Sequence, residues 1–286
     1  MFRLITDMCC DLTKEMCEEF GILAVPMSYT MDGRDFLHTL EDGNPHEFYQ
    51  ALRNGSISKT SQINSEDFIE FFTPFLEQGE DILYLAFSSG LSGTYQSACI
   101  AAEELKKRFS ERTVAVVDSL AASMGLGLMA YYASCRIKEG MNLAETVSWL
   151  ESNKLKVNHW FTVDDLHFLR RGGRVTGAAA FVGSLLSIKP VLHTDDEGKL
   201  IPMEKTRGRA KALRGLAEKL EQQGENINGQ TIFISHGDCL EDAEHVRGLI
   251  AEKYPDCKFR MNYIGPVIGS HSGPGTVAVF FMGEKR

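Results

Sequence analysis

Asp81-Ile-Leu-Tyr-Leu-Ala-Phe87, Ser88-Ser-Gly-Leu-Ser-Gly-Thr94 and Tyr95-Gln-Ser-Ala-Cys-Ile-Ala-Ala102 follow one another without a break. They read as a buried strand, a hydroxyl-rich turn and the start of a helix. A strand feeding a helix through a glycine-containing turn is the repeating unit of an α/β sheet. The turn also suits an anion. Gly90 and Gly93 let the backbone approach a ligand, and the first N–H groups of the helix lack partners. Ser88, Ser89, Ser92 and Thr94 add hydroxyl donors at the positive end of the helix dipole.

The same alternation extends in both directions. Residues 4–6 predict a short strand, 13–20 a helix closed by Gly21, and 22–29 a returning strand in which Pro26 marks an edge or an irregularity. Asn44-Pro45-His46-Glu47 and Ser65-Glu66-Asp67 predict helix starts, and residues 113–118 a further buried strand. Such a series implies a largely parallel sheet with helices on its faces. A helix opens at Asn142-Leu-Ala-Glu145 and runs into the polar Glu151-Ser-Asn-Lys154, after which His159-Trp-Phe-Thr-Val163 begins a new strand. We therefore expect two α/β domains, 1–155 with a largely parallel sheet and 156–286 with a mixed one. The second should hold an apolar helix over 178–186, a basic helix over 207–220, strands over 231–235, 259–264 and 276–282, and a helix opening at Asp238. A glycine-rich turn, 265–275, joins the last two strands.

With 286 residues and 43% apolar content, the chain can fill two cores. No apolar run is long enough to span a bilayer, and the N-terminal residues lack a signal-peptide pattern. Seven cysteines without a C-x-x-C spacing match a reducing compartment, so a cytoplasmic location is expected. Cys9 and Cys10 have no histidine or second cysteine pair at ligand spacing, and no metal is expected. The net charge of −9 argues against general nucleic-acid binding. Residues 170–219 nevertheless form a basic island, in which Arg170-Arg-Gly-Gly-Arg174 places guanidinium groups on a tight turn fit for a carboxylate, a phosphate or an acidic partner.

Ser92, Asp118 and His236 or His271 occur in the order of an α/β-hydrolase triad, which raises an acyl-ester hydrolase as an alternative. The spacing of Gly90-Leu-Ser-Gly-Thr94 departs from G-x-S-x-G, and Asp118 fits a capping role. Gly125-Leu-Gly-Leu-Met-Ala130 matches G-x-G-x-x-A, but residues 119–124 separate it from its strand; close packing of a helix on the sheet is the better reading. His271 lies among Gly269, Ser270, Ser272, Gly273, Pro274 and Gly275, too small a set for a packed helix, so a presented histidine is expected. His236 ends a strand, with Asp238 as a helix cap. A regulatory module that docks a protein through the basic island is a further alternative.

Taken together, Thr6-Asp7 with Asp11-Leu12, Lys59-Thr60-Ser61-Gln62, residues 88–98, Val117-Asp118-Ser119, Asp165-Leu166 with Leu169 and Arg171-Gly-Gly-Arg174, Ile188-Lys-Pro190, Lys205 with Arg207-Gly208, and 269–275 resemble the DegV family of bacterial fatty-acid-binding proteins over nearly the whole chain. The resemblance implies two α/β domains enclosing a long-chain fatty acid such as palmitate in a tunnel, with no other cofactor. It implies that Thr60 and Ser92 hold the carboxylate, with Ser61 and His271 nearby and Gly93 and Thr94 supporting the turn. It also implies a non-catalytic protein that presents its ligand to a separate ATP-dependent fatty-acid kinase, which forms an acyl phosphate. Arg174 and Arg207 match positions for docking or transfer. Met8-Cys9 stands where the family is usually rich in Ser and Thr, so no ligand role is expected there. Hydroxyl donors would hold a carboxylate without adding full charge, leaving its oxygen a usable nucleophile.

Overall fold

The computed structural model describes residues 2–43, 45–175 and 188–286. The expected 178–186 helix and the Asn44 cap lie outside the described residues. The first part of the chain holds β1 (Phe2–Asp7), α1 (Lys14–Phe20), β2 (Ile22–Val25), β3 (Met27–Met31), β4 (Arg34–His38), α2 (His46–Arg53) and β5 (Ser58–Thr60). It continues with α3 (Ser65–Glu77), β6 (Asp81–Ala86), α4 (Thr94–Arg108), β7 (Val114–Asp118), α5 (Met124–Lys138) and α6 (Leu143–Asn153). Beyond them come β8 (Val157–Thr162), α7 (His167–Gly172), β9 (Ile188–Thr194), β10 (Leu200–Arg207), α8 (Arg209–Gln223), β11 (Thr231–His236), α9 (Leu240–Lys253), β12 (Lys258–Tyr263), α10 (Pro266–Ser272) and β13 (Val277–Met282).

Local chemistry sets these boundaries. Thr13 caps α1, and Gly21 closes it in the left-handed conformation. Asn64 with Asp67, and Asn142 with Glu145, form capping boxes that start α3 and α6. The strands assemble into a parallel sheet, β2-β1-β6-β7, and a mixed sheet, β10-β9-β8-β13-β11-β12, in which β11 and β12 are parallel and the other pairs antiparallel. The parallel sheet draws its strands from before residue 119 and the mixed sheet from after 156, with α6 ending between them. One apolar core reaches from the parallel sheet to the facing side of the mixed sheet, and a second packs α8 and α9 on its other side.

Two expectations need correction. Residues 22–29 are not one strand. Pro26 lacks the N–H a ladder requires, so β2 stays in the parallel sheet while β3 starts a separate antiparallel sheet, β4-β3-β5. The 265–275 segment contains the helix α10, entered through Pro266, and its small residues are what let it pack: a Cβ on Gly269 would lie 2.6 Å from the Tyr49 hydroxyl. Gly125 fulfils its packing reading, since a Cβ there would collide with the His159 ring. In the parallel sheet β1 leads to β2 on one side and β6 to β7 on the other. The turns after β1 and β6 therefore flank the switch point, where α/β sheets leave a crevice for ligands.

Candidate functional site

That crevice is a cavity of about 270 Å³. The turn after β1 contributes Cys9, and the segment after β6 contributes Phe87, Leu91 and Ser92. The inner face of the mixed sheet closes it with Phe161, Ala278 and Phe280, and α10 with Val267 and Ile268. Most of the wall is apolar. Thr60, Ser61, Gln62, Ser92, Arg174, His271 and Ser272 bring polar groups to it.

Two turns meet at this polar part. Thr60 ends β5, whose register on β3 pairs it with Tyr29, and the Ser58 hydroxyl is 2.6 Å from that of Ser270 on α10. Gln62 reaches 3.2 Å to the Ser97 hydroxyl in α4, and a Cβ on Gly93 would collide with the Gln62 amide. Of the four hydroxyls expected to face an anion, Ser92 lines the cavity. Ser88 is buried and donates to the Gly198 carbonyl at 2.8 Å. The Ser89 amide is held by Asp118, and Thr94 is buried with its hydroxyl 3.0 Å from Ser92 Oγ. Thr94 thus positions Ser92, and Ser92 Oγ also accepts from the Thr94 N–H at 3.3 Å.

His271 is largely enclosed, not presented. Its Nε2 lies 2.8 Å from Thr60 Oγ1, and its Nδ1 is buried without a partner against Gly172, where a side chain would collide with it. Burial, reinforced by Arg174 and Arg171, pushes the imidazole down to about 4, so it is neutral near pH 7. Arg174 lines the cavity and donates through Nε to the Leu91 carbonyl at 3.2 Å, so the polar end carries one full charge beside its alcohols. Arg207 ends β10 and lies exposed, away from the cavity wall. Among the described residues no histidine hydrogen-bonds to Ser92, so the triad order is not matched by triad contacts. Nor does Asp238 cap α9. It binds His46 Nδ1 at 2.8 Å and Arg53 instead.

Sequence reasoning missed the packing role of Gly172 and the buried acid Asp11. Gly172 could have been found in the paired glycines before Arg174. Asp11 accepts from the Gly265 N–H at 2.9 Å and from the Ser123 hydroxyl, which lies 2.9 Å from Ser235 Oγ, and so ties the first turn to α5 and the mixed sheet. Only the fold brings these together. Among the described residues no cluster fit for a metal occurs, and no helix is long and apolar enough to cross a membrane.

A family model described as an uncharacterised protein, DegV family, matches residues 1–284. The chain belongs to the DegV family. A DegV domain-containing protein of Clostridium perfringens is 46% identical over 286 residues, spanning 100% of this chain and 98% of the relative. Among solved structures, a DegV family protein from Thermus thermophilus, described for its fatty acid binding, aligns at TM-score 0.88 and 32% identity over 99% of each chain. A DegV lipid-binding protein from Thermotoga maritima aligns at 0.86 and 31% over 100% of both. The mixed α/β architecture of this DegV chain has the parallel and the mixed sheet expected from its sequence, beside the small antiparallel sheet β4-β3-β5.

Proposed function

We propose that this protein binds one long-chain fatty acid, such as palmitate, in the cavity and presents its carboxylate to a separate ATP-dependent kinase. The observation that carries this reading is the cavity itself: apolar along most of its wall, with Thr60, Ser61, Ser92 and His271 gathered on it. The fatty-acid and lipid binding described for the Thermus and Thermotoga relatives supports the choice of ligand.

The energetics are consistent. Burying roughly fifteen methylenes at about 0.8 kcal/mol each supplies on the order of 12 kcal/mol, against the cost of immobilising the chain and desolvating its head. A buried carboxylate without hydrogen bonds would take up a proton or leave. The Thr60 and Ser92 hydroxyls offset that cost. A carboxylate oxygen held by alcohols keeps free lone pairs. It can attack the γ-phosphorus of ATP, so that an O–P bond forms, ADP leaves, and the product is an acyl phosphate.

In this reading residues 1–155 and 156–286 are two domains that enclose the ligand, the chain is not itself a catalyst, it works in the cytoplasm, and exposed Arg207 with Arg174 faces the kinase. Native mass spectrometry of the purified protein, with extraction of what it retains, tests the first step. A fatty acid at one per chain supports it, and a protein that neither retains nor takes up a fatty acid refutes it. Added kinase and ATP then either yield acyl phosphate or refute the second step.

A further inference from the structure

The mixed sheet carries a second polar group into the cavity, away from the first. Register places Leu200 of β10 against Thr194 of β9, and Phe280 of β13 against His159 of β8. Trp160 pairs with His193, so the next step of that register sets His159 opposite Thr194. Leu200, Thr194, His159 and Phe280 form one row across four adjacent strands, and all four line the cavity. Ala278 and Phe161 make the next row on the same face, and Thr276, two residues further, leads back toward Ser272 and His271. Four residues of strand separate Phe280 from Thr276, about 13 Å at the usual rise. The His159 row is therefore about that far up the sheet from the end that leads to His271 and Thr60.

His159 is an unusual residue for that place. It is 1% exposed, and its Nδ1 is buried without a hydrogen-bond partner. Its Nε2 accepts from the Ala122 N–H at 3.4 Å, a long contact. Phe280 packs edge-on at 5.4 Å between centroids, and Gly125 leaves room for the ring. Burial holds the imidazole well below its ordinary value, so it is neutral. Thr194 brings a hydroxyl to the same row. A plain methylene chain satisfies neither group, and a buried polar group without a partner costs free energy that a matching ligand atom recovers.

We propose that the His159–Thr194 pair reads a hydrogen-bonding oxygen on the acyl chain, so that the favoured ligand is a long-chain acid carrying a hydroxyl or oxo group about 13 Å along its chain. This deepens the fatty-acid reading and rests on it. The test is titration of the delipidated full-length protein with stearic acid and with 12-hydroxystearic acid, in wild type, Thr194→Val and His159→Phe. One net hydrogen bond predicts wild-type preference for the hydroxy acid by about three- to tenfold. Each substitution should abolish that preference, read as the ratio of the two affinities within each protein. Thr194→Val preserves side-chain shape and carries the test alone if His159→Phe fails to fold. Equal or tighter binding of stearic acid by wild type overturns the proposal and leaves the fatty-acid reading standing, as does a preference that survives both substitutions. Binding of neither acid overturns both.

Discussion

His271 Nε2 stands 2.8 Å from Thr60 Oγ1, across 211 residues of sequence. The contact assigns the protons. An orphan buried N–H is costlier than an orphan lone pair, and the orphan here is Nδ1. The neutral ring therefore carries its proton on Nε2 and donates it to Thr60. That leaves the Thr60 hydroxyl proton free to point at an anion in the cavity, as a carboxylate site requires.

Thr60→Val and Ser92→Ala each remove one donor to a charged group. Such hydrogen bonds contribute about 1.5–3 kcal/mol, so fatty-acid affinity should fall about 10- to 100-fold with unfolding still cooperative. Calorimetric titration of the delipidated variants checks this; unchanged affinity would remove these residues from the carboxylate site.

Gly172→Ala should act through His271 without touching the ligand. The added methyl displaces the imidazole, breaks its bond to Thr60 and admits water. By NMR titration, the imidazole value should rise from about 4 toward its usual range, with weaker binding alongside. An unmoved titration would mean that the backbone yields instead.

Asp11 makes stability depend on pH. Burial pushes its carboxyl up to about 8, against a usual value of 3.8. The folded state then binds the proton more tightly than the unfolded one, so this contribution is full below about pH 4 and is lost as pH rises to about 8. Asp11→Asn, neutral throughout, should match wild type most closely in acid and gain on it up to pH 8. Denaturant midpoints at pH 5, 7 and 9 measure the gap; a constant gap contradicts the prediction. His193 and His271 act oppositely: both are pushed down to about 4, so their contribution is lost as pH falls from about 6.5 toward 4.

Arg207→Ala should leave fatty-acid affinity unchanged, since the side chain is exposed and off the cavity wall. With the kinase present, acyl phosphate formation should slow by tenfold or more. Equal rates in a single-turnover assay would remove Arg207 from the docking face.

Much of the fold was legible because its cues are local. The alternation of strand and helix, the left-handed Gly21 and the glycine-bearing turn before Thr94 are each set within a few residues. Division of the 22–29 segment between two sheets was not legible, because the missing N–H of Pro26 only says that a ladder stops. Where β3 goes depends on partners near residues 34 and 58. The site was legible in its residues but not in their roles. Thr60, Ser92 and His271 share a cavity, whereas Ser88 and Thr94, chemically equivalent in the sequence, turn inward to the Gly198 carbonyl and to Ser92. Which hydroxyl faces the cavity is set in part by a contact 110 residues away in the chain, from Ser88 to the Gly198 carbonyl.

The break at Pro26 also bears on how this protein diversifies. Thr60, Ser61 and Gln62 follow from a small sheet that shares no ladder with the parallel one and packs on its own apolar cluster of Phe48, Tyr49, Leu52 and Ile264. Substitutions there can retune the head-group grip while every rung of the larger sheets stays in place. Under the proposed function, the Thr60 side of the head-group grip can thus vary apart from the ladders that carry Ser92 and the apolar wall.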